Sequence, residues 1–271
     1  MVKVGIIGYG SMGKMILEKI AEAKCVKSED LYVATRTYEK IAHLTNVFNV
    51  CKTNTELAAV SDIIFICVRP VDIKFILNEI KTVISENTLI VSLNGSITFE
   101  MMSKTVDQKI AKVIPSVTAE INKSQTLVCY NSLVSDDDKI TLENLLKCMG
   151  DVIELPEEEI GMGSELVSCM PGFISAIFDV ISNSAKKHTA ISERQIIQML
   201  LRTMVGTGDL MLEKDLSFND VVTRVATKGG ITEEGTKVIY EMLPKVTDEM
   251  FDKTSEKRRQ TAKKAQDNFE Q

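Results

Sequence analysis

Three glycines near the start of the chain have the spacing of a phosphate-binding loop. Gly8, Gly10 and Gly13 form G-x-G-x-x-G in the segment VGIIGYGSMGKMI, after an apolar run and before an amphipathic stretch. The first glycine permits a tight turn, the second leaves room for a pyrophosphate, and the third lets a helix pack against the preceding strand. A strand–turn–helix corner that needs glycine only for packing is the alternative, but this context favours a dinucleotide site.

The residues after the next apolar run predict which dinucleotide binds. An NAD site usually carries Asp or Glu there, which accepts a hydrogen bond from the ribose 2′-hydroxyl. This chain has Thr35, Arg36 and Thr37 instead, and a guanidinium with two hydroxyls suits a 2′-phosphate. An arginine merely exposed at a strand end is the alternative, and Lys40 fits either interpretation. We expect NADPH as the cofactor, with NADH possible.

A second glycine pair, Gly229 and Gly230, interrupts the C-terminal half in the segment RVATKGGITEEGTKV. These glycines can end one helix, and Thr232 can cap the next, with two glutamates in its first turn. The alternative is a loop whose backbone N–H groups hold an anion, because glycines before a helix N-terminus also make an anion site. The residues by themselves leave both interpretations open.

The elements that must position these loops alternate through the first half of the chain. Continuous apolar runs followed by amphipathic stretches predict strands buried on both faces, joined by parallel crossovers. The fold class expected is α/β, with an N-terminal Rossmann-type doubly wound sheet. The predicted strands are 3–8, 31–35, 62–68, 88–93, 109–114, 125–130 and 151–155, and the predicted helices include 11–24, 70–84 and 136–149.

After Pro156 the pattern changes to apolar residues at helical spacing, without strand signals. We therefore expect a dinucleotide-binding domain over residues 1–156 and an all-helical domain over 157–271. The helical half is rich in Met and Leu, and an exposed apolar surface of this kind is typical of a subunit interface.

Composition excludes several classes of protein. The net charge of −6 argues against a nucleic-acid partner. The two histidines lie in no motif and the six cysteines form no C-x-x-C pair, so no metal site is expected. No signal peptide is recognised and no apolar run reaches the ~18 residues of a membrane span. A cytoplasmic protein without a membrane partner is the expectation.

Several blocks, in one order, resemble the pyrroline-5-carboxylate reductase family, and especially its late-competence (ComER-like) subgroup. The resemblance spans nearly the full length of the chain. The blocks are IGYGSMG (7–13), SDIIFICVRP (61–70), IVSLNGSIT (90–98), KVIPSV (112–117), VSCMPGF (167–173) and VATKGGIT (225–232).

The resemblance implies an NADPH-dependent oxidoreductase of proline biosynthesis, which reduces the C=N bond of 1-pyrroline-5-carboxylate to give L-proline. It also implies a helical domain that joins protomers into a homodimer or a higher homo-oligomer. The cofactor contacts that it implies fall on Ile7, Gly8, Tyr9, Gly10, Ser11, Met12, Thr35, Arg36, Asn54, Cys67, Val68, Arg69, Pro70, Asn94 and Gly95.

The same resemblance assigns the segment after residue 226. Its backbone N–H groups would hold the substrate carboxylate, and Thr232 would be the catalytic residue that faces the ring nitrogen. The substrate-binding residues implied are Thr227, Lys228, Gly229, Gly230 and Ile231. The reaction requires no metal, because the cofactor carries the hydride and the protein positions the reactants.

The substrate half departs from the family pattern more than the cofactor half does. TKGG replaces S-P-G-G, VSCMPGF replaces S-G-S-G-P-A-Y, and IPSVT replaces M-P-N-T-P. A catalytically weak or inactive NADP-binding dimeric regulator is therefore the alternative function. A dehydrogenase of another small carboxylate, with Lys186 or Lys187 as acid, is a third interpretation.

Overall fold

The computed structural model describes residues 2–270. Its first half contains an eight-stranded sheet with the strand order β3-β2-β1-β4-β5-β6-β7-β8. The strands are β1 (Val4–Ile7), β2 (Leu31–Ala34), β3 (Asn49–Val50), β4 (Ile63–Ile66), β5 (Leu89–Ser92), β6 (Lys109–Ile114), β7 (Ser124–Tyr130) and β8 (Gly150–Glu154). The order reverses at β1, as in a doubly wound dinucleotide-binding sheet, which confirms the fold class.

Ten α-helices, besides shorter 3₁₀ turns and one π-helical turn, accompany the sheet among the described residues. They are α1 (Ser11–Glu22), α2 (Asn54–Ala58), α3 (Ile73–Ile80), α4 (Phe99–Ser103), α5 (Asp136–Leu146), α6 (Ile160–Ser164), α7 (Met170–Ala185), α8 (Glu193–Lys214), α9 (Phe218–Val225) and α10 (Ile231–Glu270). Within the described chain no strand follows β8, so the second half is helical as predicted.

Both faces of the central strands are buried, which explains their continuous apolar sequences. In β4, Ile63 and Phe65 join one core cluster with α1 and α5. Ile64 and Ile66 join a second cluster, to which α3 contributes. Successive side chains of a strand point to opposite faces, so one run of four residues supplies both cores.

Two features of the sheet differ from the sequence prediction. Strand β7 runs antiparallel to β6, whereas every other neighbouring pair is parallel. Only a short segment containing the 3₁₀ turn Val117–Ile121 connects β6 to β7, and a parallel crossover needs about a dozen residues or more. Strand β3 has two residues, which is too short to show a periodic pattern.

By packing, the chain forms two compact units. The first extends to Pro171 and also includes the chain from Lys257 onward, and the second is Gly172–Glu256. The domain boundary after residue 156 stays a prediction from the change in the spacing of apolar residues.

The last turns of α10 belong to the first unit and fill part of its core. Ala265 and Phe269 are 1% and 8% exposed and lie in the same cluster as the α3 residues. Lys74 Nζ donates to the carbonyls of Asn268 and Phe269 at 3.2 and 3.1 Å. A lysine there satisfies carbonyls that the end of a helix leaves without partners.

A long apolar helical run lies on residues 157–185. By length and composition it is apolar enough to cross a membrane, and 6% of its apolar window is buried. The expectation that no such run exists is wrong, because serines and glycines interrupt the apolar residues in sequence without interrupting the helix. One such helix is weak support for a membrane span, since a helix that buries against another subunit has the same composition.

Candidate functional site

A cavity of about 620 Å³ lies in the first unit at the carboxyl ends of β1, β2 and β4. Ile7 ends β1, while Thr35 and Cys67 follow β2 and β4, and all three line the cavity. Open α/β sheets bind ligands in this crevice, where the strand order reverses and the connections after neighbouring strands pass to opposite sides of the sheet.

The first glycine of the front loop lies where no other residue fits. Gly8 has a φ of +99°, in the region that L-residues rarely adopt. A Cβ at Gly8 would lie 2.6 Å from the Cys67 carbonyl oxygen. The loop is held to both neighbouring strands, since Gly8 N–H donates to the Ala34 carbonyl and Cys67 N–H to the Ile7 carbonyl, each at 2.8 Å.

The start of α1 is built to receive an anion. Gly10 is its N-cap, no side chain caps the helix, and its first turn carries no acid. A Cβ at Gly10 would meet nothing within 4 Å, so the backbone is open at this point of the cavity. The unpartnered N–H groups and the helix dipole therefore fit the pyrophosphate of a dinucleotide.

Three cations line the same cavity without an acidic partner among residues 2–270: Arg36, Lys40 and Lys52. Arg69 differs, because its Nε donates to Asp72 Oδ2 at 3.0 Å. Unpaired guanidinium and ammonium groups suit a further phosphate, as the residues after β2 predicted.

Asn54 is oriented by a carboxylate inside the cavity. Its Nδ2 donates to Glu79 Oε2 at 2.7 Å. Only the NH₂ group can donate to a carboxylate, so Oδ1 is left as an acceptor. Thr53 and Glu56 form a capping box that starts α2 at Asn54 and fixes its backbone.

The Cys67 thiol is not a nucleophile in this environment. Burial raises its pKa to about 12, so the thiol stays protonated at neutral pH. Cys67 therefore contributes shape and backbone to the cavity.

Most of the predicted cofactor residues meet in the cavity. Those that line it are Ile7, Gly8, Tyr9, Gly10, Thr35, Arg36, Asn54, Cys67, Val68 and Arg69. Ser11, Met12, Pro70, Asn94 and Gly95 do not line it, and their contact with a cofactor stays a prediction. Gly95 is held by Lys112, whose Nζ donates to its carbonyl at 3.2 Å.

Sequence reasoning missed part of the lining. The missed residues are Lys52, Thr53, Asp72, Phe75, Ile76 and Glu79. Four of them recur at helical spacing within the predicted helix 70–84, so that periodicity would have revealed a helix face. Lys52 lies just after β3, and a strand of two residues has no periodic pattern from which its position could be predicted.

The predicted substrate loop lies in the second unit, between α9 and α10. Gly229 has a φ of +74°, and Gly230 N–H donates to the Thr227 carbonyl at 2.8 Å. Helix α10 begins at Ile231 with Glu233 and Glu234 in its first turn. Thr232 is thus the second helical residue, so the expectation that it caps the helix is wrong. Helix α9 ends at Val225, four residues before Gly229, and α10 begins directly after Gly230, one residue before Thr232.

The first-turn amides of α10 are available to a ligand. Among the described residues, Ile231 N–H and Thr232 N–H have no acceptor, as expected for the first turn of a helix. The Ile231 side chain is 94% exposed. Lys228 and the segment around it are also exposed, so a cation lies beside these donors in the chain.

The alternative lysine acid and a possible metal site were also compared with the structure. Lys186 Nζ is paired with Glu193 Oε1 at 2.7 Å on the surface, so its ammonium is held in an ion pair and does not line the cavity of the first unit. In the described part of the chain, no three His, Cys, Asp or Glu side chains are grouped to hold a metal ion.

Arg36→Ala is expected to weaken NADPH binding by about tenfold to a hundredfold, because a charge-assisted hydrogen bond to a phosphate is lost. NADH lacks the 2′-phosphate and serves as the internal control, with binding changed less than about twofold. Titration of both nucleotides against the wild type and the variant, followed by nicotinamide fluorescence, measures the ratio. An equal loss for both would contradict the assignment of Arg36.

Comparison with protein-family models matches both halves of the chain. Residues 3–95 match the family described as NADP oxidoreductase coenzyme F420-dependent. Residues 157–261 match the family described as pyrroline-5-carboxylate reductase dimerisation.

Two relatives from Bacillus subtilis are similar over almost their entire length. Pyrroline-5-carboxylate reductase 3 is 34% identical over 260 residues, which cover 95% of this chain and 96% of the relative. ComE operon protein 4 is 26% identical over 255 residues, covering 93% of each. Among solved structures, the NADP-bound pyrroline carboxylate reductase of Plasmodium falciparum has a TM-score of 0.83 at 22% identity, covering 99% of this chain and 98% of that one. At this identity the structure supports the fold alone.

Proposed function

Because this chain belongs to the pyrroline-5-carboxylate reductase family, we propose that it reduces 1-pyrroline-5-carboxylate to L-proline with NADPH. The chain is an NAD(P)H-dependent oxidoreductase acting on a C=N bond. The observation that carries the proposal is the cavity at the ends of β1, β2 and β4, with the open start of α1 and three unpaired cations in its lining.

Different residues of the cavity bind different groups of NADPH. The N-terminal amides of α1 hold the pyrophosphate, and Arg36, Lys40 and Lys52 hold the 2′-phosphate. Further cofactor contacts in this proposal come from residues outside the cavity lining: Ser11, Met12, Pro70, Asn94 and Gly95. NADPH, when bound, supplies the hydride.

The substrate is held by the segment that starts α10. The amides of Ile231 and Thr232, with Lys228 beside them, hold the carboxylate. The Thr232 hydroxyl hydrogen-bonds the ring nitrogen. This contact draws electron density from the C=N bond and makes its carbon more electrophilic. The residues thus bind, orient and polarise the imine, and no side-chain nucleophile takes part.

Self-association belongs to the same proposal. Residues 157–261 match a dimerisation family, and the second unit exposes large apolar side chains such as Leu212, Phe218 and Met242. A surface of this kind is buried in a homodimer or a higher homo-oligomer. The six cysteines are free, as they are in a reducing compartment, and we place the protein in the cytoplasm.

Thr232→Ala is expected to lower kcat/KM for 1-pyrroline-5-carboxylate by about a hundredfold, because one donor at the reacting group is lost. Oxidation of NADPH is followed by absorbance with the purified full chain. Thr232→Ser keeps the hydroxyl and is the matched control, which should retain most of the activity. The dissociation constant of NADPH should be the same in all three proteins. A variant Thr232→Ala with wild-type kcat/KM would contradict the role of the hydroxyl.

A dimeric NADP-binding regulator with weak or no turnover is the second candidate. The similarity to ComE operon protein 4 favours it, as do the glutamates beside the proposed anion site. The same assay separates the two functions. Tight NADPH binding without oxidation in the presence of 1-pyrroline-5-carboxylate would favour the regulator.

A further inference from the structure

A carboxylate of this chain already occupies the loop in which the substrate carboxylate is proposed to bind. Gly229 N–H donates to Glu233 Oε2 at 2.6 Å. Glu233 is the third residue of α10 and reaches back over its N-terminus. This is a charge-assisted bond, and its geometry resembles the back-bonding of a capping box.

The neighbouring glutamate has a different partner. Glu234 Oε1 accepts from Lys237 Nζ at 2.6 Å, one helical turn along. The charge of Glu234 is therefore offset by a lysine, whereas that of Glu233 is directed at the loop amide and the start of the helix. The two adjacent residues carry the same charge but differ in what they contact.

We propose that Glu233 limits the affinity of the loop for the substrate by competing with the substrate carboxylate. This inference rests on the proposed function, since the substrate carboxylate is expected in the same loop, at the neighbouring amides of Ile231 and Thr232. A second carboxylate cannot use the Gly229 N–H while Glu233 holds it, and two carboxylates at one helix N-terminus repel each other. The Glu233 side chain must turn toward solvent before a carboxylate ligand binds, which lowers the affinity of the loop for all carboxylates.

The test compares Glu233→Gln with Glu234→Gln. Both variants remove one negative charge from the first turn of α10, but only the first weakens the competitor on the Gly229 amide. We expect Glu233→Gln to lower KM for 1-pyrroline-5-carboxylate about five- to tenfold, because a charge-assisted hydrogen bond is replaced by a neutral one. Glu234→Gln should change KM less than about twofold, and KM for NADPH should stay constant in both.

A binding measurement keeps the test independent of turnover. Calorimetry with L-proline, in the presence of oxidised cofactor, should give the same order of affinity: Glu233→Gln tightest, with Glu234→Gln close to wild type. Thermal unfolding of each variant shows whether the fold is retained, and both positions lie at the surface or partly exposed.

The outcomes separate this inference from the proposed function. Turnover with equal KM in the two variants, or a higher KM in Glu233→Gln, would overturn the inference and leave the function intact. Tighter L-proline binding by Glu233→Gln without turnover in any protein would support the inference and contradict the reductase. Absence of L-proline binding in all three proteins would overturn both.

Discussion

Gly13→Ala is expected to destabilise the first unit and to weaken NADPH binding about a hundredfold. A Cβ at Gly13 would lie 2.0 Å from the Gly8 carbonyl oxygen and 3.2 Å from the Gly8 carbonyl carbon. Both are backbone atoms, so α1 itself must shift away from the loop. Overpacking of this kind costs about 1–3 kcal/mol or more. A displacement of about 1 Å at a binding site is enough for a loss of this size.

Gly10→Ala is the matched control for Gly13→Ala. Nothing lies within 4 Å of a Cβ built at Gly10, and its φ of −92° and ψ of −166° are accessible to alanine. The free energy of unfolding should therefore fall by less than about 1 kcal/mol, the small cost of alanine at an N-cap. NADPH binding should still weaken, because the methyl group enters the space proposed for the pyrophosphate.

Urea unfolding and NADPH titration on the three proteins give the two quantities. The expected pattern is loss of stability and binding in Gly13→Ala, and loss of binding alone in Gly10→Ala. Wild-type NADPH affinity in Gly13→Ala would contradict the role of the loop.

Removing Glu157 is expected to produce the largest loss of stability, about 3–5 kcal/mol in Glu157→Ala. The Lys112 side chain is 1% exposed, and its ammonium lies 3.0 Å from Glu157 Oε1. Glu157 Oε1 also accepts from Phe99 N–H at 2.9 Å. Without this carboxylate, the buried ammonium keeps, among residues 2–270, only the Gly95 carbonyl and the Phe99 ring, 5.6 Å away, as partners.

Lys112→Met should cost less than Glu157→Ala. It removes the buried charge, fills the space with an apolar chain, and leaves Glu157, whose side chain is 29% exposed, in contact with water. The double variant should recover part of the loss of Glu157→Ala, since no unpaired ammonium remains. Chemical denaturation at neutral pH measures all three.

The ion pair of Lys139 with Glu154 is the surface control. Its side chains are 29% and 48% exposed at an N–O distance of 2.7 Å. Glu154→Ala should lower the free energy of unfolding by less than about 1 kcal/mol, as exposed pairs do. If Glu157→Ala also lowers the free energy of unfolding by less than about 1 kcal/mol, burial of Lys112 does not determine the strength of its ion pair.

Local sequence patterns predicted most strands and the glycine loop at residues 8–13. In β1, β4 and β5, continuous apolar residues predict strands because both faces of the sheet are covered. The glycine loop is predictable because the left-handed φ of Gly8 and the contact of Gly13 with Gly8 involve neighbours in the chain. The antiparallel β7 was missed because alternation alone does not give strand direction.

The basic residues near the C-terminus show that local charge patterns do not predict ion pairs with distant residues. Because acidic residues are interleaved with them, Lys257, Arg258 and Arg259 indicate a solvated helix face, and the first and last of these are exposed. Arg258 instead pairs with Glu165, whose side chain is 5% exposed. The partner is 93 residues away in the chain, so no local pattern indicates it.

The sequence by itself determined seven of the eight strands and the longer helices, the glycine turn at the first strand and the cation after the second. These depend on side-chain periodicity and backbone stereochemistry over a few residues. Only the tertiary structure placed Lys52 and Glu79 in one cavity with the glycine loop, packed the end of α10 into the core of the first unit, and joined Lys112 to Glu157. Residues far apart in the chain meet only when strand order and helix packing are set, and those depend on the burial of many side chains together rather than on any one segment.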